Sequence, residues 1–130
     1  MTARLKEENV SKQEQLQSAL NELKAALPEL QEVIVASGDG LPIAQLGTNE
    51  DTIARLAAMA ATAHGLGKRI ATTSNLGNLV ETVILGDSAY FIAYAIGDRA
   101  VLAITMPGGS NLGLVRLEAQ GIARKIAEVL

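Results

Sequence analysis

Apolar residues recur at every third or fourth position in three stretches of the chain, which is the spacing of an amphipathic helix. The first stretch begins at a capping box from Ser11 to Glu14 and ends before Pro28, a residue that cannot continue a helix. The last stretch follows Asn111, a favourable N-cap residue. Residues 1–10 are mostly polar and precede the first capping box, so we expect them to form a flexible N-terminal tail.

The middle helix is predicted by a second capping box, from Thr48 to Asp51, with acidic residues in its first turn. Lys68 and Arg69 are expected in its last turn, where positive charge suits the helix dipole. Its core-facing stripe is predicted from the residues that recur on one side of the helix, namely Ile53, Leu56, Ala60, Ala63, Gly67 and Ile70.

The segments between these helices are short, rich in β-forming residues and separated by glycine-containing turns. The runs "EVIVAS" and "LPIAQLG" flank the turn signal "GDG", which predicts a hairpin. The runs "LVETVIL", "AYFIAYAI" and "AVLAITM" are joined only by "GDS" and "GDR", as in an antiparallel meander. The predicted order is therefore α-β-β-α-β-β-β-α. We expect a single α+β domain over residues 11–130, with helices packed on a five-stranded antiparallel sheet.

The composition limits the functions that this domain can have. Of 130 residues, 48% are hydrophobic, which is enough for a folded core, but only 2% are aromatic and the net charge is −3. Nucleic-acid binding is not expected, because it needs positive charge and aromatic rings that stack on bases. The sequence has no cysteine, no signal-peptide core and no apolar run near the about 20 residues of a membrane span. We therefore expect a cytoplasmic protein without membrane insertion.

The segment "PGGSNLGLVRLEA" contains two glycines, within residues 108–113, at the G-x-x-x-x-G spacing of a phosphate-binding loop. That loop needs a lysine and a serine or threonine directly after its second glycine, because these side chains hold the phosphates and the magnesium ion. Leu114 and Val115 occupy the two positions here. We therefore expect no nucleotide or other cofactor, and interpret the segment as a turn in which Ser110 or Asn111 caps the following helix.

The sequence contains no recognisable catalytic or metal-binding pattern. His64 is the sole histidine, so a histidine-rich metal site is impossible, and we expect it at the surface or in a helix seam. Ser37 and Ser74 lack the nucleophile elbow of a hydrolase. Two pairs of adjacent acids, residues 7–8 and 50–51, lie in the predicted tail and in a first helical turn, their ordinary places. We expect no catalytic residue, no metal site and no enzymatic activity.

Two stripes on the middle helix are instead candidates for contacts with other proteins. One consists of small residues that would let two helix backbones approach closely, namely Ala54, Ala58, Ala61 and Gly65. The other mixes apolar residues with arginines, as protein-binding surfaces do, and consists of Arg55, Met59, Thr62, Leu66 and Arg69. The simpler alternatives are that the alanines only favour helix formation and that the second stripe is an ordinary solvent-exposed face.

Two segments of the sequence resemble a known family. The hairpin "VIVASGDGLPIA" is similar to the opening strands of the roadblock/LC7 family, and "AVLAITMPGGSNLGLVRLEAQGIARKIAEVL" is similar to its last strand and helix. The resemblance extends over residues 12–130 and implies the profilin-like fold of that family, in the element order predicted above. The shared segments are turns and helix caps, so they identify a fold more specifically than they identify a partner.

Family members are dimers without catalytic activity, so the resemblance implies a dimer here. Family dimers pair the middle helix with its twin and join their sheets through the third strand, which correspond to residues 51–71 and 79–85. On that strand the resemblance implies Val80, Thr82 and Ile84 as interface residues. The implied helix contact agrees with the small-residue stripe found on the middle helix.

Two functions follow from this resemblance. One is a homodimeric regulator of a small Ras-like GTPase, which could stimulate GTP hydrolysis by ordering the catalytic residues of the GTPase. The arginine-containing stripe would then be the binding surface. The other is a structural adaptor or scaffold subunit that binds another roadblock protein or a motor component. The sequence leaves open which partner is bound and whether the dimer contains two identical chains.

Overall fold

The computed structural model describes the backbone of residues 2–47 and 49–130, and the side chains of residues 11–47 and 49–130. In these residues the chain forms three helices and five strands. They are α1 (Thr2–Ala26), β1 (Glu32–Ser37), β2 (Pro42–Leu46), α2 (Glu50–Thr73), β3 (Glu81–Leu85), β4 (Ala89–Ile96), β5 (Ala100–Pro107) and α3 (Leu112–Val129). The predicted element order and α+β class are confirmed.

The five strands form one antiparallel sheet in the order β2-β1-β5-β4-β3. Strands β3, β4 and β5 form the predicted meander, and β1 lies between its hairpin partner β2 and the last strand β5. Strand β3 begins at Glu81, somewhat later than predicted. This topology leaves β2 and β3 as the two edges of the sheet.

The sheet separates two apolar layers of unequal size. Helices α1 and α3 pack together on one face, and the larger core beneath them includes Leu20, Leu23, Ile92, Leu102 and Ile122. Helix α2 packs alone on the other face, above Ile34, Ala36, Ala93 and Ala103. Because one helix is narrower than a five-stranded sheet, the sheet beside α2 is covered incompletely.

Helix α1 begins at Thr2, ahead of the predicted capping box. Ser11 lies inside the helix, where its hydroxyl accepts a hydrogen bond from Gln15 Nε2 at 3.4 Å. The start prediction was wrong because no proline or glycine precedes the box, so nothing there stops the helix. The predicted tail, residues 1–10, lies outside the residues whose side chains the structure describes, and its flexibility stays a prediction.

Helix α2 is capped by Asn49, whose side chain accepts a hydrogen bond from the backbone N–H of Thr52 at 3.0 Å. The predicted capping residue, Thr48, lies outside the described residues. The helix also continues past its predicted end, since "ATTSN" contains no glycine or proline to break it. Lys68 and Arg69 therefore do not fall in its last turn, and that prediction was wrong.

The side of α2 that faces the sheet is rotated relative to the predicted stripe. The buried residues are Ile53, Ala57, Ala60, His64 and Ala71. Leu56 and Ala63 are only half-buried, and Ile70 is 51% exposed. Alanines allow the helix to approach the sheet closely, so they face it, while Leu56 and Ile70 lie along one side. Hydrophobic periodicity finds the apolar part of a helix but does not decide between neighbouring stripes.

Candidate functional site

The outer edge of the sheet at β2 is protected against pairing with another strand. The Gln13 side-chain amide donates to the carbonyl oxygen of Ile43 at 2.9 Å, and that of Gln17 donates to the carbonyl oxygen of Gln45 at 3.4 Å. Pro42 opens the strand without a backbone N–H, and the pairing with β1 contains a register shift. Proline, irregular pairing and occupied acceptors are features that block edge-to-edge association.

The opposite edge, β3, has none of this protection in its side chains. Three consecutive apolar residues are exposed: Val83 at 40%, Ile84 at 55% and Leu85 at 79%. An exposed apolar edge strand presents unpaired N–H and C=O groups to any strand that can lie beside it. Sequence reasoning did not identify Val83 and Leu85, although the run "TVIL" in a strand bounded by turns was the available signal.

The exposed side chains of β3 point to both faces of the sheet. Ile84 pairs across to Phe91, which lies on the α2 face. Val83 and Leu85 pair across to Ile92 and Tyr90, whose side chains belong to the core beneath α1 and α3. The exposed part of β3 is therefore apolar on both faces of the sheet. A strand that buried only one face would need apolar residues on that face alone.

The side of α2 nearest β3 is lined by large apolar residues. A shallow groove of about 270 Å³ separates helix and strand, and its lining includes Leu56, Met59, Ala63, Ile84 and Phe91. Met59 is 59% exposed, and Leu66 and Ile70, at 56% and 51%, continue the exposed apolar surface along the helix. Edge strand and helix together present one exposed apolar region, which we call the α2–β3 surface (Met59, Leu66, Ile70 and Ile84).

The small-residue stripe lies on a different side of α2. Gly40, in the turn between β1 and β2, has a φ of +86° and approaches so closely that an added Cβ would lie 3.0 Å from the Cα of Ala58. This close approach explains the glycine at position 40, whereas the side chain of Ala58 stays exposed. Gly65, by contrast, has no neighbouring atom within 4 Å of an added Cβ, so its own chain does not require a glycine.

The predicted interface residues are consequently divided by the fold. Ala54, Ala58, Ala61 and Gly65 do not line the groove that faces β3, and all but the half-buried Ala61 are exposed. On the strand segment, Thr82 is half-buried beneath Gly67, and Val80 is 65% exposed beside Tyr94. Ile84 is the predicted residue that is both exposed and adjacent to the apolar side of α2.

All five residues of the predicted partner-binding stripe are exposed on α2, namely Arg55, Met59, Thr62, Leu66 and Arg69. Arg55 Nε donates to the carbonyl oxygen of Asp51 at 3.4 Å, which lays its stem along the helix. Among the described side chains, the two salt bridges, Arg116–Glu81 and Lys125–Glu22, both involve α3. The stripe thus combines accessible positive charge with the apolar residues of the α2–β3 surface.

His64 is buried on α2, which excludes the surface placement and leaves the alternative prediction of a seam residue. Its side chain is 6% exposed between α2 and the sheet, and its Nδ1 has no hydrogen-bond partner among the described residues. Burial lowers the pKa of His64 below its ordinary value, and the Lys68 ammonium lowers it further. A neutral imidazole packed in this position fits a structural role.

The glycine-rich segment before α3 is a turn followed by a helix cap, as interpreted from the sequence. Gly109 has a φ of +86°, a left-handed conformation that favours glycine. Asn111 Oδ1 accepts a hydrogen bond from the Leu114 N–H at 3.1 Å, which makes it the capping residue. Val115 is buried in the core. The absence of nucleotide binding stays a prediction.

Residues 11–47 and 49–130 were expected to hold neither a metal ion nor a membrane-spanning helix, and their arrangement bears on both expectations. These residues contain no group of three or more histidine and acidic side chains arranged to hold a metal ion. None of the described helices is long and apolar enough to cross a membrane.

Solved structures with the same fold include several from bacteria. The Roadblock/LC7 domain of Streptomyces avermitilis superimposes with a TM-score of 0.72 and 20% identity, over 76% of this chain and 83% of its own. MglB of Myxococcus xanthus has a TM-score of 0.79 and 17% identity, over 88% and 86% of the two chains. Profilin IA of Acanthamoeba castellanii matches more distantly, with a TM-score of 0.57 and 11% identity, over 86% and 99%.

The sequence itself carries the family assignment. No curated protein is significantly similar to the chain in sequence. Residues 16–106, however, match the sequence profile of the Roadblock/LC7 domain, and this range covers more than half of the chain. The protein belongs to the Roadblock/LC7 domain family.

Proposed function

We propose that this protein forms a homodimer through β3 and the apolar side of α2, and that the dimer binds and regulates a small Ras-like GTPase. The observation that carries the proposal is the α2–β3 surface, which joins an unprotected sheet edge to exposed apolar residues of a helix. Membership of the Roadblock/LC7 family supports it, because the family resemblance implies dimers and GTPase partners.

In this dimer, two β3 strands pair edge to edge and extend the sheet across both chains. The interface is isologous, so each residue contacts the same surface of its twin. Ile84 and Met59 border the groove beside α2, and the second helix would cover this groove and remove both side chains from water. Each fully buried side chain of this size contributes about 1.5–3 kcal/mol, which makes the α2–β3 surface a substantial source of dimer stability.

This arrangement changes which α2 residues form the dimer contact. The sequence prediction placed Ala54, Ala58, Ala61 and Gly65 there, but their side of the helix faces away from the groove beside β3. Dimerisation through β3 instead brings Leu66 and Ile70 toward the partner. The large side chains are the better candidates because they have the apolar area to bury.

The outward side of α2 stays available in this dimer and is the proposed GTPase surface. Arg55, Thr62 and Arg69 lie there, and a two-fold axis between the helices places two copies side by side. Two arginines per chain favour a partner with acidic residues at the contact. A dimer surface of this kind can contact one GTPase with residues from both chains.

Regulation requires that the dimer bind one nucleotide state of the GTPase better than the other, since a partner shifts an equilibrium only through differential contacts. Contacts with the loops that rearrange around the γ-phosphate would meet this condition. We expect Arg55 and Arg69 to act in binding rather than as an arginine finger that stabilises the transition state. Arg55 supports this expectation, because its hydrogen bond to Asp51 holds it along the helix.

The experiment combines purification from the native source with kinetics. We expect a Ras-like GTPase to copurify with the tagged protein and its GTP hydrolysis rate to change on addition of the dimer. Recovery of another roadblock protein or a motor component without a GTPase would contradict the proposal and favour the adaptor function.

The arginine variants test the role of the stripe in the same assay. Arg55→Ala and Arg69→Ala should each weaken GTPase binding about tenfold, the equivalent of about 1.4 kcal/mol, while saturating protein restores the rate. Arg124→Ala, an exposed arginine on α3, is the matched control and should leave binding unchanged. A rate that stays low at saturation would instead indicate an arginine finger.

A further inference from the structure

A cavity lies on the face of the sheet opposite α2, where the end of α1 approaches the start of α3. Its volume is about 400 Å³, which falls within the range of about 300–1,000 Å³ that is usual for small-molecule sites. Its lining includes the apolar side chains of Leu27, Met106 and Val115 and the polar side chains of Glu29 and Ser110. Neither α2 nor β3 contributes to it, so the cavity does not depend on the proposed dimer.

Glu29 supplies the negative charge of this cavity. It belongs to neither of the two salt bridges among the described side chains, and the Lys24 ammonium donates instead to two backbone carbonyl oxygens in the turn after α1. The Ser110 hydroxyl lies 3.3 Å from Glu29 Oε2 but only 2.7 Å from the carbonyl oxygen of Pro107. A hydroxyl has one hydrogen, so Ser110 donates to the closer acceptor. The carboxylate therefore keeps acceptor sites for a bound molecule.

Tyr90 adds a buried hydroxyl near these two polar residues. Its side chain is 7% exposed beside its cross-strand neighbour Met106, and its hydroxyl has no hydrogen-bond partner among the described residues. Burial raises the pKa of Tyr90, the nearby Ser110 hydroxyl lowers it, and the Glu29 carboxylate raises it further. Buried hydroxyls are normally paired, so the orphaned phenol marks a place where a further polar group would be stabilised.

The ends of the two helices determine which charge the cavity favours. Ala26, the last residue of α1, lines the cavity, so the negative end of that helix dipole lies beside it. Pro28 has no N–H and leaves one carbonyl group of the last turn without its helical donor. At the start of α3, the Asn111 side chain already accepts from the Leu114 N–H at 3.1 Å. Unpaired acceptors beside the charge of Glu29 favour a ligand with hydrogen-bond donors and a positive charge.

We propose that this cavity binds a small organic amine, whose protonated amino group contacts Glu29 and whose branched apolar body contacts the apolar lining. The ammonium group donates to the carboxylate in a charge-assisted hydrogen bond, which is stronger than a neutral one. The apolar body replaces water against Leu27, Met106 and Val115. The site lies apart from the α2–β3 surface, so it is a binding function in addition to the proposed one.

The first part of the test compares ligands that share one apolar body. Isopentylamine is positively charged at neutral pH, isopentanol is neutral and isovalerate is negatively charged. We expect titration calorimetry to show one amine bound per chain with a Kd of about 1 mM or below, and binding of the other two at least about tenfold weaker. A short lysine-containing peptide with blocked ends tests whether the same ammonium chemistry is recognised in a protein chain instead.

The second part uses variants of the cavity. Glu29→Gln should weaken amine binding about tenfold or more. Glu128→Gln, an exposed residue near the far end of α3, removes the same charge and should leave binding unchanged. The protein has two tyrosines and no tryptophan, so the amine should also change its tyrosine fluorescence. Tyr90→Phe should abolish this change while calorimetry still detects binding. Thermal unfolding shows whether each variant is folded, and the ligand series on the unaltered protein does not depend on any variant.

Each outcome supports the amine site or overturns it. Selective binding of the amine, weakened by Glu29→Gln and not by Glu128→Gln, supports it. Equal binding of isopentanol, equal loss in both variants or no saturable binding would overturn it. Preference for isovalerate would assign the cavity to an anion at the start of α3, and binding of the peptide without the free amine would assign it to a partner protein. These results leave the proposed dimer and its function untouched, because they concern neither α2 nor β3.

Discussion

The two edge strands of the sheet, β2 and β3, differ in whether their unpaired backbone groups are protected from pairing with another strand. At β2, glutamines of α1 donate to two carbonyl oxygens, and Pro42 and an irregular register oppose further pairing. At β3, three consecutive apolar side chains are exposed, and one of them, Ile84, borders the groove beside α2. An exposed apolar edge strand is a site at which another strand can pair, so the contrast supports the proposal that β3 is the edge that pairs.

The first prediction concerns a substitution in β3, the unprotected edge strand. Ile84→Lys should convert the dimer to a monomer, because it places a charge in the α2–β3 surface and lysine is a common protection of edge strands. We expect the dimer dissociation constant to rise about a hundredfold or more, measured by sedimentation equilibrium.

Leu41→Lys is the matched control for this variant. Leu41 is 65% exposed in the turn that leads into β2, so it tests an equally exposed apolar residue at the other edge. It should leave the dimer intact. A monomer with Leu41→Lys and a dimer with Ile84→Lys would reverse the roles of the two edges.

The second prediction compares the two sides of α2. Leu66→Arg should weaken the dimer about tenfold, because Leu66 belongs to the α2–β3 surface. Gly65→Arg should leave it unchanged, and the fold should tolerate it, since an added Cβ meets no atom within 4 Å. Light scattering over a range of protein concentrations measures dimer dissociation for each of the two variants. Dissociation by Gly65→Arg alone would restore the small-residue stripe as the interface.

The two sides of α2 also show which features of the structure could be predicted from the sequence. Periodicity, turn signals and caps predicted every helix and strand, because these depend on residues near one another in the chain. They could not predict that Gly40 would pack on Ala58, or that Ile84 of β3 would line the same groove as Met59. Both contacts join elements that are separate in sequence, so they follow only from the crossing of α2 over the sheet.

The third prediction concerns the side-chain donors that protect the other edge strand, β2. Replacing Gln13 and Gln17 together by alanine removes the donors to β2 and should lower the free energy of unfolding by about 1 kcal/mol. It should also produce assemblies larger than the dimer, seen by sedimentation velocity. Gln15→Ala is the control, because Gln15 bonds only within α1, to Ser11. Unchanged assembly would mean that the glutamines do not protect this edge.

The smallest expected effect concerns pH and the buried His64 beneath α2. Burial and Lys68 lower its pKa in the folded state, whereas the unfolded chain titrates near 6.5. As the pH falls below that value, the unfolded state binds a proton first, so the free energy of unfolding decreases. The slope cannot exceed about 1.4 kcal/mol per pH unit for one proton. Urea denaturation between pH 7 and 5 should show this decrease, and His64→Leu should abolish it.

The central claim, that β3 is the paired edge, can be tested directly by cross-linking, because the sequence contains no cysteine. Single cysteines are introduced at each position of 81–85, and at Gln45 on β2 and Gly65 on α2 as comparison sites. Two antiparallel strands around a two-fold axis bring one position opposite its own copy, close enough for a disulfide. We predict a covalent dimer from at least one β3 position under mild oxidation and none from Gln45 or Gly65. Cross-linking through β2 or the small-residue stripe, with none through β3, would contradict the account.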